Sequence, residues 1–178
     1  MDGTITAPAA HAPEAEAVAF EQLYRSSRDD LFAYVHGLLR DRSAAEDVTA
    51  LAFERAFRRR RKFNPSRGNR RAWLFGIARN AALDELRRRK RRADLAEEVA
   101  DPDAPDPADE AETALRRRAL RQAMADLAAR ERELVALKFF AGLSNAEIAA
   151  VVGTSESNAG TRLHRVIEKL RRACDETD

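Results

Sequence analysis

Apolar side chains recur along this chain at three- and four-residue steps. Phe20, Leu23, Tyr24, Leu31, Phe32, Val35, Leu38 and Leu39 predict one long helix over about 16–40, with these side chains on a single face. Ser43 followed by Glu46 has the spacing of a capping box, predicting a second helix from there to about Lys62. Asn64-Pro65-Ser66-Arg67-Gly68 has turn chemistry, and a third helix over about 71–91 presents Trp73, Leu74, Ile77, Ala78, Ala81 and Leu86 as its apolar side. The pattern resumes near Thr113 with Leu115, Leu120, Met124 and Leu127, followed by a helix over 131–140. Ser144 with Glu147 is a second capping box, opening a short helix that buries Ile148, Ala149 and Val152 and ends at Gly153. Ser155 then caps a last helix to about Arg172. No stretch alternates with the period of a strand, so the expected fold is all-α.

Two segments break the pattern. Residues 1–15 are rich in Ala and Pro without periodicity and read as a disordered tail. Residues 93–112 hold nine carboxylates, three prolines and no basic residue, too little apolar surface to fold, and read as a flexible acidic linker. The expected organisation is two small helical domains, 16–92 and 113–173, with a short tail over 174–178. A linker of that length spans roughly 25 Å root-mean-square and roughly 65 Å fully extended.

Net charge is only +2 over 178 residues, but the average conceals segregation. Residues 1–53 carry −5, 54–92 carry +13, 93–112 carry −9 and 113–178 carry +3. Only four of the 32 basic residues are lysine, and the planar fork of arginine suits phosphate and base edges. The single cysteine, Cys174, excludes an internal disulfide and a thiolate metal cluster. No metal, cofactor or catalytic residue is expected, because no carboxylate cluster, His/Cys pair or phosphate-cradling glycine loop is present. No run of apolar residues is long enough to span a bilayer and no signal pattern opens the chain, so the expected location is the cytoplasm.

A short helix, a glycine turn and a longer helix is the spacing of a helix-turn-helix, whose second helix enters the major groove. In the last helix Leu163, Val166, Ile167 and Leu170 form the apolar stripe. Asn158, Thr161, Arg162 and Arg165 fall on the opposite side, and their amide, hydroxyl and guanidinium groups suit base edges and phosphates. The first domain carries a different signal, Arg67-Gly68-Asn69-Arg70-Arg71-Ala72-Trp73-Leu74-Phe75-Gly76-Ile77-Ala78-Arg79-Asn80, running into Arg87 to Arg92. Aromatics interleaved with arginines suit bases taken out of a duplex, because a ring or guanidinium plane replaces the lost stacking. Trp73, on the side of Ile77, is expected half-buried. A stand-alone helix-turn-helix regulator is the alternative, and it leaves this stretch unexplained.

Several motifs in order make the chain similar to the extracytoplasmic-function sigma factors, two-domain bacterial transcription initiation factors. They are Phe20-Glu21-Gln22-Leu23-Tyr24, Ala45-Glu46-Asp47-Val48, Phe53-Glu54-Arg55-Ala56-Phe57, Phe63 to Gly68, Arg71 to Asn80 with Asp84, and Glu147-Ile148-Ala149 to Arg162-Leu163-His164-Arg165. The resemblance covers about 20–172. It implies a region 2-like domain over 16–92 and a region 4-like helix-turn-helix domain over 113–173. It also implies a non-catalytic role, directing core RNA polymerase to promoters and assisting DNA melting. Glu46, Asp47, Ala50, Leu51 and Glu54 would then meet the clamp helices of the polymerase largest subunit. Asn64, Arg67, Asn69, Arg70, Arg71, Trp73, Arg79, Asn80, Arg87, Arg88 and Arg91 would take the downstream promoter element, with Asn80 at the pocket for an extruded base. Ser155, Asn158, Thr161, Arg162, His164 and Arg165 would serve the upstream element. The implied partners are promoter DNA, core polymerase, including the subunit that contacts the second domain, and an anti-sigma factor.

The sequence departs from the family pattern at three places. Ala50 and Leu51 stand where a glutamine and an acidic residue are usual on the polymerase face. Gly160 replaces a cation in the recognition helix, and Arg70 replaces an aromatic in the strand-capture loop.

Overall fold

The computed structural model describes residues 12–93 and 111–175, and every regular element among them is helical. Of the expected tail over 1–15, linker over 93–112 and tail over 174–178, residues 1–11, 94–110 and 176–178 lie outside the described residues; residues 12–15 instead open the first helix, Ala93 closes the third, Ala111 and Glu112 open the fourth, and Cys174 and Asp175 close the last. In the first domain α1 spans Ala12–Leu39, α2 spans Arg42–Arg59 and α3 spans Arg70–Ala93, with single 3-10 turns at Arg60–Lys62 and Pro65–Arg67. The second domain contains α4 (Ala111–Ala125), α5 (Ala129–Val135) continued by a π-helical turn over Ala136–Phe140, α6 (Asn145–Val152) and α7 (Glu156–Asp175). Among the described residues no helix is long and apolar enough to cross a membrane, and no group of His, Cys, Asp or Glu could hold a metal ion.

The start of α2 differs from the expectation. Its N-cap is Asp41, whose Oδ1 accepts from the Ala44 N–H at 3.0 Å, while Glu46 pairs with Arg42 at 3.0 Å and takes no part in a cap. The reason is tertiary. Arg40 turns the chain at φ 50°, leaving Asp41 extended, and Arg89 from α3 reaches the free Oδ2 of Asp41 at 3.0 Å. The Asp41 carboxyl is held below the ordinary range, first by the Ala44 N–H and then by Arg89. The caps of the second domain follow the sequence. Ser144 and Glu147 exchange both hydrogen bonds, Gly153 takes the left-handed conformation at φ 73°, and the Ser155 hydroxyl accepts from the Asn158 N–H.

Helices α1, α2 and α3 pack on one another around Leu31, Tyr34, Val35, Leu74 and Phe75, all fully buried. Tyr34 lies outside the apolar pattern, yet its hydroxyl is buried beside Glu133, and burial first and that carboxylate second raise its pKa. In the second domain Leu127, Val135 and Val166 close a small core under α4. Leu120, expected on the apolar side of α4, is exposed, while Ala123 is buried and Met124 packs on the small core together with Leu170 of α7.

The two domains are packed against each other. Helix α6 lies on α3 and the π-helical turn lies on α1, so Leu134, Leu137, Leu143 and Ile148 join the cluster that contains Leu31 and Phe75. Nothing in the apolar periodicity marks this shared core. At the seam a Cβ on Gly37 would stand 3.0 Å from the Phe140 ring, so only glycine permits this approach without displacing that ring.

Candidate nucleic-acid interface

Between the loop after α2 and the first turns of α3 lies a cleft of about 590 Å³, walled by Phe63, Asn64, Trp73, Ile77 and Asn80, with Arg59 and Lys62 at its rim. Local chemistry builds this loop. The Asn64 side chain accepts from the Ser66 N–H at 3.0 Å, and Asn69 caps α3 by accepting from the Ala72 N–H at 2.8 Å. The Phe63 ring tilts against Trp73 at 5.6 Å, and the Arg70 guanidinium lies 4.9 Å from the centre of the Phe63 ring. Trp73 is half-buried as expected, whereas Phe75 belongs wholly to the core. In the sequence Phe63 stands out only within the motif Phe63 to Gly68. Its neighbour Pro65 and the basic run before it are what the sequence offered as a signal. The side chain of Arg67 lies outside the described set.

The remaining residues expected to meet the downstream element divide by what they touch. Asn80 is exposed at the cleft, and Arg91 is exposed at the far end of α3. Arg87 pairs with Asp84 at 3.0 Å and Arg88 pairs with Glu85, both remaining largely exposed. Arg89 is different. It bonds Glu85, Asp41 and the Leu39 carbonyl, fastening α3 to the α1–α2 corner. Three further groups face the second domain. Arg79 donates to both oxygens of Glu133 at 2.5 and 3.2 Å, Asn69 Nδ2 donates to Glu147 Oε1 at 2.7 Å, and Arg71 donates to Asp30 at 2.7 Å and to the Ala141 carbonyl at 2.5 Å. Glu133 is only 6% exposed. Its hydrogen bond raises the Arg79 pKa against the opposing effect of burial. Burial itself acts to raise the Glu147 pKa, but the hydrogen bonds from Asn69 and Ser144 outweigh it and hold the carboxyl low.

On α7, Ser155, Asn158, Thr161, His164 and Arg165 are exposed, and the Asn158 amide donates to Thr154 Oγ1 at 2.7 Å. Arg162 departs from the expected outer face. It is half-buried and lines a small pocket with Arg79, Arg130 and Glu133. Gly160 also turns inward, since a Cβ there would meet Asn145 Nδ2 at 3.3 Å. The residue in place of the usual cation therefore allows α7 to approach the start of α6.

The outer face of α2 is open between two grooves. One, of about 820 Å³, lies against α1 and is lined by Tyr24, Phe32, Phe53, Glu46 and Ala50. The other, of about 370 Å³, lies against α3 and is lined by Asp47, Val48, Leu51, Arg55 and Arg88. Ala50 and Leu51 thus serve different grooves, and Glu54 is exposed and paired with Arg58 at 2.7 Å.

The sequence matches known families over both domains. Residues 23–92 match the sigma-70 region 2 model and residues 117–170 match the sigma-70 region 4 model. The ECF RNA polymerase sigma factor SigL of Mycobacterium tuberculosis is 32% identical over 162 residues, which cover 90% of this chain and 91% of SigL. The chain belongs to the ECF sigma factors. Two solved structures share the fold of this sigma factor. One is the sigma factor RpoE in complex with the anti-sigma factor NepR from Bartonella quintana, with a TM-score of 0.68 and 24% identity, covering 88% of this chain and 97% of RpoE. The other is CnrH in complex with the cytosolic domain of CnrY, with a TM-score of 0.65 and 26% identity, covering 94% and 96% respectively. Both halves of this sigma factor are thus accounted for by one family, which the stand-alone regulator reading does not achieve.

Proposed function

We propose that this sigma factor joins core RNA polymerase to two promoter elements, with the domain over 16–92 holding one unpaired base of the downstream element and the domain over 113–173 reading the upstream element as duplex. The cleft of Phe63, Trp73 and Asn80 carries the reading. Its walls offer flat rings and an amide in a space of about 590 Å³, with Arg59 and Lys62 beside them for the backbone. An unpaired base gains there part of the stacking it loses on leaving the duplex. Asn158, Thr161, His164 and Arg165 present donors and acceptors to the major groove, and Ser155 holds the first turn of that helix. Arg162 joins them once the second domain separates from Arg79.

Core polymerase docks on the outer face of α2 through Glu46, Asp47, Ala50, Leu51 and Glu54, and Ala50 and Leu51 make that contact less polar than is usual in the family. The linker over 93–112 lets the two domains reach sites separated along the DNA. The protein performs no chemistry of its own, because polymerase supplies the catalysis, and it works in the cytoplasm where polymerase is. An anti-sigma factor is a further partner, as for the Bartonella RpoE that was solved with NepR. The test is in vitro transcription with core polymerase and a promoter library. Initiation at a restricted set of promoters, with protection extending over melted base pairs, is expected. Protection confined to intact duplex, or unchanged when polymerase is omitted, refutes the proposal.

A further inference from the structure

Where α3 meets α5, α6 and α7, a pocket of about 250 Å³ is lined by Arg79, Arg130, Glu133, Leu134, Val152 and Arg162. Its charges do not balance. Glu133 gives both carboxylate oxygens to Arg79, at 2.5 and 3.2 Å, so that pair is neutral within itself. Arg130 and Arg162 line the same space and make no hydrogen bond or ion pair among the described residues. Two guanidinium groups are thus left in one small pocket without a counter-charge. Arg162 is half-buried and Glu133 almost wholly buried, so water screens these charges less than it does on an open surface. A guanidinium in that position needs acceptor oxygens, and its planar fork takes them in pairs from a carboxylate or a phosphate. The one carboxylate of the pocket is already committed.

From this excess of cations we infer that the pocket binds a small phosphate-bearing anion, a diphosphate group whose oxygens bridge Arg130 and Arg162 beside the pair of Arg79 and Glu133. Charge and size select this class. Two uncompensated cations call for more than one negative charge, which a carboxylate does not carry and a diphosphate does. The volume of about 250 Å³ falls below the roughly 300–1,000 Å³ of pockets that enclose whole drug-sized ligands. The pocket therefore takes the phosphate end of a ligand and leaves any nucleoside attached to it outside. Binding of such an anion goes beyond the promoter reading given above. One consequence rests on that reading, because Arg162 also belongs to the set assigned to the upstream element. Anion and promoter DNA then compete for Arg162. By mass action, an anion at about ten times its Kd lowers the apparent affinity for a ligand that excludes it by about elevenfold.

Calorimetric titration of the full-length protein with pyrophosphate, in the absence of polymerase and DNA, tests this. Arg130→Gln removes one of the uncompensated charges from a residue that holds no other part of the fold and is assigned no DNA contact. Arg121→Gln removes the same charge from an exposed position on α4, outside the pocket. The expected result is saturable binding at one site, weakened about tenfold by Arg130→Gln and unchanged by Arg121→Gln. No saturable binding, or equal weakening in both variants, overturns the inference. Should Arg130→Gln unfold, Arg162→Gln decides in its place, with the same tenfold loss expected. ADP is titrated alongside. Binding of ADP at least as tight as that of pyrophosphate supports a nucleotide as the source of the diphosphate, and binding of pyrophosphate alone supports the free anion. A single-stranded oligonucleotide that is weakened by Arg130→Gln while pyrophosphate does not bind overturns the inference, since the arginines then serve the DNA backbone. Promoter initiation with core polymerase is measured in parallel, without pyrophosphate. Its failure, with pyrophosphate binding intact, counts against the proposed function and leaves the anion site standing.

Discussion

Replacing Phe63 with leucine separates the stacking role of the cleft from its role in holding the loop. Leucine retains most of the apolar contact with Trp73 but removes the flat ring, and with it the 5.6 Å aromatic pair and the Arg70 guanidinium 4.9 Å from its centre. An aromatic pair contributes about 0.5–1.5 kcal/mol beyond its area and an exposed cation–π contact about 0.5–1 kcal/mol, so a stability loss of about 1 kcal/mol is expected after the retained packing is credited. A base stacked on an aromatic side chain is worth about 1–3 kcal/mol. Phe63 is half-buried and shares its accessible face with Arg70, so the lower part of that range applies, about 1–2 kcal/mol or roughly five- to thirtyfold in affinity. The assay compares holoenzyme binding to a fork-junction promoter with a single-stranded non-template overhang and to a fully duplex fragment of the upstream element, by fluorescence anisotropy. Loss on the fork alone supports the reasoning. Equal loss on both, or full affinity for the fork despite the expected drop in stability, refutes it.

The electrostatic share of binding is checked by salt dependence. Arg87→Ala, Arg88→Ala and Arg91→Ala each flatten the slope of log affinity against log salt by about 0.7–0.9 per phosphate contact removed, whereas Arg89→Ala lowers thermal stability instead, because Arg89 bonds Glu85, Asp41 and the Leu39 carbonyl. Gly160→Ala gains about 1 kcal/mol of helix propensity and pushes the end of the Asn145 side chain by a few tenths of an ångström, a net gain of about 0.5 kcal/mol readable in denaturant melts; a loss means that Asn145 cannot move. Arg40→Gly relieves a left-handed non-glycine residue at φ 50° and raises stability by about 0.5–1 kcal/mol, and no rise in melting temperature contradicts this account of the α1–α2 corner. The lowered pKa of Asp41 fixes a sign: its stabilising effect is complete above the ordinary aspartate pKa and disappears as pH falls through the depressed folded value. Asp41→Asn therefore flattens the acid limb of a stability-against-pH curve, and an unchanged limb argues against the cap.

How far the residues could be read in advance depended on the range of the forces involved. The box of Ser144 and Glu147, the left-handed Gly153 and the loop of Asn64 to Gly68 are satisfied by bonds spanning two to four residues, so spacing alone reveals them. Ser43 with Glu46 has the same local signature as Ser144 with Glu147 and fails as a cap, because Arg89, 48 residues from Asp41, makes the neighbouring carboxylate the better one. Leu120 fits its helical period yet stays exposed, since the period identifies a face without saying what covers it.

By itself the sequence determined seven helices of the right order, the polar outer face of the last one, and the arginine and aromatic stretch that marks the family, because helix period, capping and charge density are local properties. Only the tertiary structure decided which of those arginines reach solvent and which are drawn into the fold. Arg87, Arg88 and Arg91 reach solvent, Arg89 fastens a corner, and Arg71 and Arg79 close a seam with residues 54–70 positions away. A guanidinium binds a carboxylate, a carbonyl or a phosphate with the same geometry, so its partner is chosen by what folding brings within reach.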